Sequence, residues 1–284
     1  MKVEDATKYN LDLILPIFLI ILAELLIFLG KPGAAMPIHA LNLVLLSLSS
    51  IYINNKIYPA LMLLPLFRLL NVAMPVFFNL TLYSYSLVYA PMFIPIYFIL
   101  KENFLSRSEA GLTFKGFWFY LPLAISLGFA LGWGEYHVLH PQMLTVDLDI
   151  KNVFILIVTM IFFVGIVEEF VFRSSLQTAL QVRLGSIAGL VLSSIIFGFM
   201  HSGYRLPQEL LYVSFAGMAF GLLFLLSKSL PVIALAHGVT NISLFLIAPL
   251  DQRLLVYLIA APALFFVMYA YVFKIVGKIR AANK

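Results

Sequence analysis

Three charged residues stand in this chain where an apolar sequence has least use for them. Glu168, Glu169 and Arg173 follow directly on the apolar run Val153–Val167. A charge at the centre of a membrane helix costs about 2.5–3.5 kcal/mol on insertion scales, so such residues mark function by default. Glu169 and Arg173 are four apart with the acid N-terminal, the favoured order for an ion pair on one helix face. Glu168 is turned about 100° from Glu169, because 3.6 residues make a turn, and it has no partner nearby in sequence. Glu168 is therefore the candidate reactive carboxylate, with Glu169 and Arg173 as its structural support. The bland alternative is a helix end at which all three touch water.

The next polar insertion is Phe197-Gly-Phe-Met-His201. Arg183-Leu184-Gly185 breaks the apolar pattern before it, with the glycine placed to cap a helix. In an antiparallel hairpin turning at residues 184 and 185, Glu168 and His201 are equidistant from the turn and meet at one depth, roughly 25 Å from it. A histidine near the end of a span is more often interfacial than catalytic; the shared depth singles this one out. His237 and Asn241 are again four apart and share a helical face. Their alternative role is helix-to-helix hydrogen bonding, worth about 0.6–2 kcal/mol in membranes. His237 lies only about 12 Å from the preceding turn near Ser229. Convergence then requires the segment Ser174–Leu184 to run beyond the membrane or bend along its surface, which its polar composition permits.

The elements that must position these residues follow from composition. Of the 284 residues, 63% are hydrophobic and 11% charged, against about 25% charged in soluble domains; mean hydropathy is +1.03. The pattern predicts an all-α, polytopic transmembrane bundle of about ten spans, one membrane domain over residues 1–284. Spans are expected at Leu13–Leu29, Ala34–Ile53, Ile57–Phe78, Leu80–Leu100, Gly116–Gly134, Asn152–Leu184, Ser186–Ser202, Leu210–Leu226, Leu230–Ile247 and Leu254–Val276. Ten crossings put both termini on one side. That side collects thirteen Lys and Arg, Lys2 and Lys284 among them; the other holds Lys31, Lys151, Arg205 and Arg253. Both termini are expected in the cytoplasm on that bias. The first apolar run exceeds the usual 7–15 residue core of a cleaved signal, so it is expected to stay. No cysteine is present, which excludes disulfides and thiolate chemistry. The formal charge of +5 comes without a basic tract in a soluble domain, so no nucleic-acid partner is expected.

Other polar positions carry less weight. Glu24 and Arg68 are single intramembrane charges expected to pair with each other or flank a cavity. His137 and His140 fall with Glu135 in an outer loop, Glu135–Lys151, read either as a weak metal site or as solvated histidines covering a site. Lys101–Lys115 reads either as an interfacial amphipathic helix or as a solvated loop. Pro59, Pro65, Pro75, Pro91 and Pro95 are kinks that a bundle tolerates.

Glu168-Glu169-Phe-Val-Phe-Arg173, Phe197-Gly-Phe-Met-His201 and His237-Gly-Val-Thr-Asn241, in that order and on hydrophobic segments, resemble the three motifs of the CAAX prenyl endopeptidase and bacteriocin-processing intramembrane protease family, which includes prokaryotic proteins similar to lysostaphin resistance protein A. The resemblance covers residues 152–247, an expected catalytic core within the C-terminal five spans; residues 1–134 are expected to be additional N-terminal helices. It implies a membrane peptidase in which Glu168 and His201 activate water and His237 and Asn241 stabilise the oxyanion, with Glu169 and Arg173 supporting. It also implies a peptide or protein substrate, lipid-modified or bearing a leader, and a prokaryotic plasma membrane. Glu-Glu-x-x-x-Arg alone would be a weak signal; the ordered set is a specific one.

The side chains fit that chemistry. A carboxylate beside a histidine in apolar surroundings suits general-base work, and one oxyanion donor is worth about 2.7–4 kcal/mol in a comparable site. Glu168, His201 and His237 are also competent ligands for a three-ligand zinc site. The His-Glu-x-x-His signature is missing, for Ser202 and Gly203 follow His201. A metal-free, cofactor-free mechanism is expected, with zinc as its alternative. From another class, a transporter or signalling scaffold would use the same buried residues for proton or ligand binding.

Overall fold

In a computed structural model, residues 3–53, 55–73, 81–145 and 147–282 are described. Lys2, Pro75, the expected span boundaries at Phe78 and Leu80, and Lys284 lie outside them. The described residues form no strand. Lipid offers backbone groups no hydrogen bonds, so a chain this apolar satisfies them within helices. Among the described residues there are ten long helical runs: α1 (Val3–Phe28), α2 (Pro32–Tyr52), α3 (Ile57–Ala73), α4 (Ser84–Lys101), α5 (Phe117–Leu139), α6 (Ile150–Leu184), α7 (Ser186–Phe199), α8 (Pro207–Ser227), α9 (Leu230–Leu250) and α10 (Gln252–Ala282). Eight are long and apolar enough to cross a bilayer; Leu13–Phe28 within α1 and Ile57–Ala73 are shorter apolar helices. The architecture is the expected polytopic helical bundle of about ten helices.

Burial separates centre from rim. In α9, 67% of the apolar window is buried, against 6% in α10. The helix bearing His237 and Asn241 is thus the axis, while α10 turns Leu264, Phe265, Met268 and Tyr271 outward, toward what we read as lipid. Close approach to α9 depends on glycine. A Cβ on Gly165 of α6 would stand 2.5 Å from the Ala234 carbonyl, and one on Gly238 of α9 would stand 2.5 Å from Ile161 Cγ1. Ile161 and Gly165 are one turn apart, so the two backbones meet along the turn that leads into the glutamates.

Helix α6 has 35 residues, about 50 Å at 1.5 Å per residue, and outruns the ~30 Å hydrocarbon layer. Its polar far part does not face water: Ser174, Ser175 and Gln177 are buried. Ser174 donates to the Ala110 carbonyl and Gln177 to the Gly221 carbonyl. Gly185, at φ +89°, ends the helix with its N–H on the Gln181 carbonyl, and α7 starts at Ser186, which is the expected hairpin.

Two readings are corrected. The stretch after Lys101 is not a surface helix but a loop that is solvated only in part: Arg107 and Lys115 are exposed, whereas Leu105 and Ala110 are buried, and the Gly111 and Thr113 carbonyls accept from Leu230 N–H and Ser229 Oγ. It docks against helix ends, where unpaired backbone groups need partners. On its rim Glu109 takes hydrogen bonds from Ser106 and from Lys56 at 2.9 Å, which hold its carboxyl down at about 2. The second correction concerns Glu135 and His137. Helix α5 continues to Leu139, so both are helical and Glu135 is buried; a histidine-rich loop does not begin there.

Gly165→Val should push α6 from α9 and destabilise the bundle by about 1–3 kcal/mol, as overpacking does. The midpoint of thermal unfolding in detergent should fall accordingly, and an unchanged midpoint would show that the approach is not tight.

Candidate active site

The two glutamates sit in a short α-helical stretch, Ile166–Glu169, flanked by the π-helical stretches Thr159–Gly165 and Phe170–Gln177 of α6. Such widened turns are rare and are frequent at functional sites. Here they set the directions in which the carboxylates leave the helix.

Glu168 is buried. Its Oε1 accepts a 2.6 Å hydrogen bond from the Tyr89 hydroxyl of α4. Its Oε2 has no hydrogen bond among the described residues and stands 3.8 Å from His237 Nε2. Glu169 is fully buried and has two partners: Oε1 lies 2.6 Å from His237 Nδ1, and Oε2 lies 3.2 Å from Arg173 Nε. Arg173 also donates to the Gly217 carbonyl at 3.0 Å, and its guanidinium lies 4.2 Å from the centre of the Phe197 ring. That is a cation over an aromatic face away from water, where the attraction is largest. Phe220 stacks on the His237 ring with centroids 5.1 Å apart. The expected Glu169–Arg173 pair is present, and it reaches across to α9.

His201 lies just past the end of α7, with its N–H on the Gly198 carbonyl. Its Nδ1 is 2.9 Å from the Phe197 carbonyl. A carbonyl only accepts, so this nitrogen carries the proton and Nε2 is left as an acceptor. The ring packs edge-on against Phe197 at 4.9 Å, and Phe197 packs against His237 at 6.0 Å. His201 lies within electrostatic reach of Glu168. Asn241 is half-buried one turn beyond His237, and its amide makes no hydrogen bond among the described residues. Glu168, Glu169, Arg173 and His237 are thus joined by contacts, His201 borders them through Phe197, and Asn241 stands apart along α9.

Sequence reasoning missed three participants. Tyr89 came from a span where no charge drew notice, although two tyrosines four apart, Tyr85 and Tyr89, were a signal that hydroxyls share a face. Glu209, placed outside a span that was read as starting at Leu210, lies in the first turn of α8 and is fully buried. Glu135 is buried as well and lies within electrostatic reach of both Glu209 and Glu168. Among the described residues, no group of three or more His, Asp or Glu side chains is arranged to hold a metal ion.

The fold and site define a polytopic helical membrane protein with acids and histidines gathered among its C-terminal helices. Residues 150–243 of this chain match the family model of type II CAAX prenyl endopeptidase, Rce1-like, which bears out the resemblance over that stretch and supports a peptidase. No curated protein and no solved structure was found to match the chain.

Arg173→Met should leave the Glu169 carboxylate buried without its cation and cost about 3–5 kcal/mol. Adding Glu169→Gln should restore part of that loss, because the unpaired charge goes with it. Unfolding of the single and double variants in detergent measures both; equal losses in the two would show that the pair is not coupled.

Proposed function

We propose that this chain is an intramembrane endopeptidase that hydrolyses a peptide bond at or near the membrane. The observation that carries the reading is Glu168 Oε2, a buried oxygen with no hydrogen bond among the described residues, standing beside an imidazole nitrogen 3.8 Å away. A separation beyond direct hydrogen bonding is one that a water molecule can bridge. With Oε1 engaged by Tyr89, Oε2 is the lone pair free to act.

In the proposed reaction Glu168 and His201 take a proton from water as its oxygen adds to the scissile carbonyl carbon. His201 Nε2 is the acceptor because Nδ1 faces the Phe197 carbonyl. His237 Nε2 and the Asn241 amide donate to the oxyanion that forms. For Nε2 to donate while Nδ1 engages Glu169, the His237 ring carries a second proton, and the Glu169 carboxylate at 2.6 Å balances that charge. Glu169 in turn is held by Arg173. The tetrahedral intermediate then collapses, the C–N bond breaks, and the stored proton passes to the leaving amine.

The family's description, a prenyl endopeptidase, makes a lipid-bearing peptide or protein the substrate class we infer, delivered through the surrounding lipid. Residues 152–247 form the catalytic core on this reading, and residues 1–134 are additional helices that brace it. No metal or other cofactor takes part.

Glu168→Ala and His201→Ala should each abolish cleavage while the protein stays folded and inserted. Comparing new protein termini in membranes bearing the wild type and either variant tests this; full activity in both variants overturns the assignment. Chelator should leave cleavage intact, whereas a loss reversed by added zinc would restore the metal reading. Ion-coupled flux in proteoliposomes, sensitive to Glu168→Gln and without hydrolysis, would favour a transporter instead.

From the Lys and Arg bias we infer that both termini face the cytoplasm at a prokaryotic plasma membrane. A C-terminal alkaline phosphatase fusion should be inactive and a C-terminal fluorescent protein fusion bright. The reverse pattern would invert the topology.

A further inference from the structure

Away from the three motifs, the structure holds a second buried ion pair. Arg68 of α3 grips Glu24 of α1 with both forks: Nε to Oε1 at 2.7 Å and a terminal nitrogen to Oε2 at 2.8 Å. Glu24 is fully buried, and His39 Nε2 of α2 lies 3.2 Å from its Oε1. The same terminal nitrogen of Arg68 also donates to the Met200 carbonyl, and Ser202 Oγ donates to Glu24 Oε2. Met200 and Ser202 are the neighbours of His201 on either side.

We propose that the Glu24–Arg68 pair is a positioning device for His201, fixing the backbone on both flanks of the ring. Helix α7 ends at Phe199 with Met200 as its cap, so the Met200 carbonyl is among the last-turn acceptors without an intrahelical donor. In lipid no water takes that role, and a cation at a helix C-terminus is favoured by the aligned peptide dipoles. Arg68 meets both needs. On the other flank the chain leaves the helix through a 3₁₀ turn, Ser202–Tyr204, and the Ser202 hydroxyl anchors that turn. A bidentate, buried ion pair rarely makes a fold more stable than apolar side chains of similar volume would. What it contributes is a fixed direction, and here both of its outward hydrogen bonds end beside the histidine. Glu24 and Arg68 lie outside residues 150–243, the stretch that matches the family model; the first three helices therefore serve the site although they lack its motifs. The kinetic arm of the test rests on the proposed peptidase reading; the exchange arm does not.

Four full-length variants in detergent test it. Arg68→Lys keeps the charge but cannot serve Glu24 bidentately and Met200 together. Ser202→Ala removes one tether and leaves the ion pair. Glu24→Gln with Arg68→Met removes the clamp and leaves no unpaired charge, so it is expected to fold; Glu24→Gln alone completes the set. Per folded molecule, Arg68→Lys and the double variant should lower kcat about tenfold or more with KM unchanged, the signature of a group misplaced in the transition state. The pH profile of kcat should shift with them. Hydrogen–deuterium exchange should quicken in residues 198–206 in all four variants, while residues 166–173 and 234–241 keep their wild-type rates. Wild-type kcat and pH profile in the folded double variant, or unchanged exchange in 198–206, overturns the proposal and leaves the pair a brace between helices. If the wild type cleaves no peptide, the peptidase reading fails and the exchange result alone decides the clamp.

Discussion

Glu169 receives Arg173 from its own helix and His237 from α9, and the rest of the site is built around that shared carboxylate. In a bundle surrounded by lipid a buried charge has no water to fall back on, so it must find donors within the protein. Arg173 then spends its remaining reach on the Gly217 carbonyl of α8 and the face of Phe197. One ion pair thereby ties α6, α7, α8 and α9 together at the depth of the site. It also sets the tilt of the His237 ring, because a histidine held at Nδ1 presents Nε2 in a defined direction. Glu168, one residue earlier, is left to face that nitrogen.

Such polar contacts need short distances between helices. Gly165 and Gly238 let α6 and α9 approach closely in the turn just before the glutamates, and the π-helical turns on both sides of Ile166–Glu169 adjust the angles. Side chains from the N-terminal half complete the surroundings: Tyr89 on Glu168, and Arg68 with Glu24 on the turn around His201. A boundary drawn at the motifs would cut through these hydrogen bonds. The chain is better understood as one bundle in which the early helices supply donors that the later ones lack.

Much of this was legible beforehand. Apolar run lengths marked the helices, and the spacing of 168 and 201 about Gly185 marked the hairpin. The four-residue spacing of Glu169 and Arg173 marked an ion pair that is present at 3.2 Å. Elsewhere local pattern misled. Glu135 looked like the start of a polar loop because a carboxylate is expensive inside a span. It lies inside α5, which runs on to Leu139, and is buried within electrostatic reach of Glu209, 74 positions away. The stretch after Lys101 looked amphipathic, yet its carbonyls are taken by Leu230 and Ser229 from the far end of the chain.

The amino-acid sequence by itself determined the helical, membrane-embedded class, the order of the helices and the identity of the polar side chains that need partners. These depend on hydropathy and on spacing along a single helix, which are local quantities. Only the tertiary structure decided who the partners are. Tyr89 for Glu168, His237 for Glu169, and Met200 and Ser202 for the Glu24–Arg68 pair are contacts across dozens of residues. They are set by how closely helices approach and how they are rotated, and neither quantity is written in any one segment.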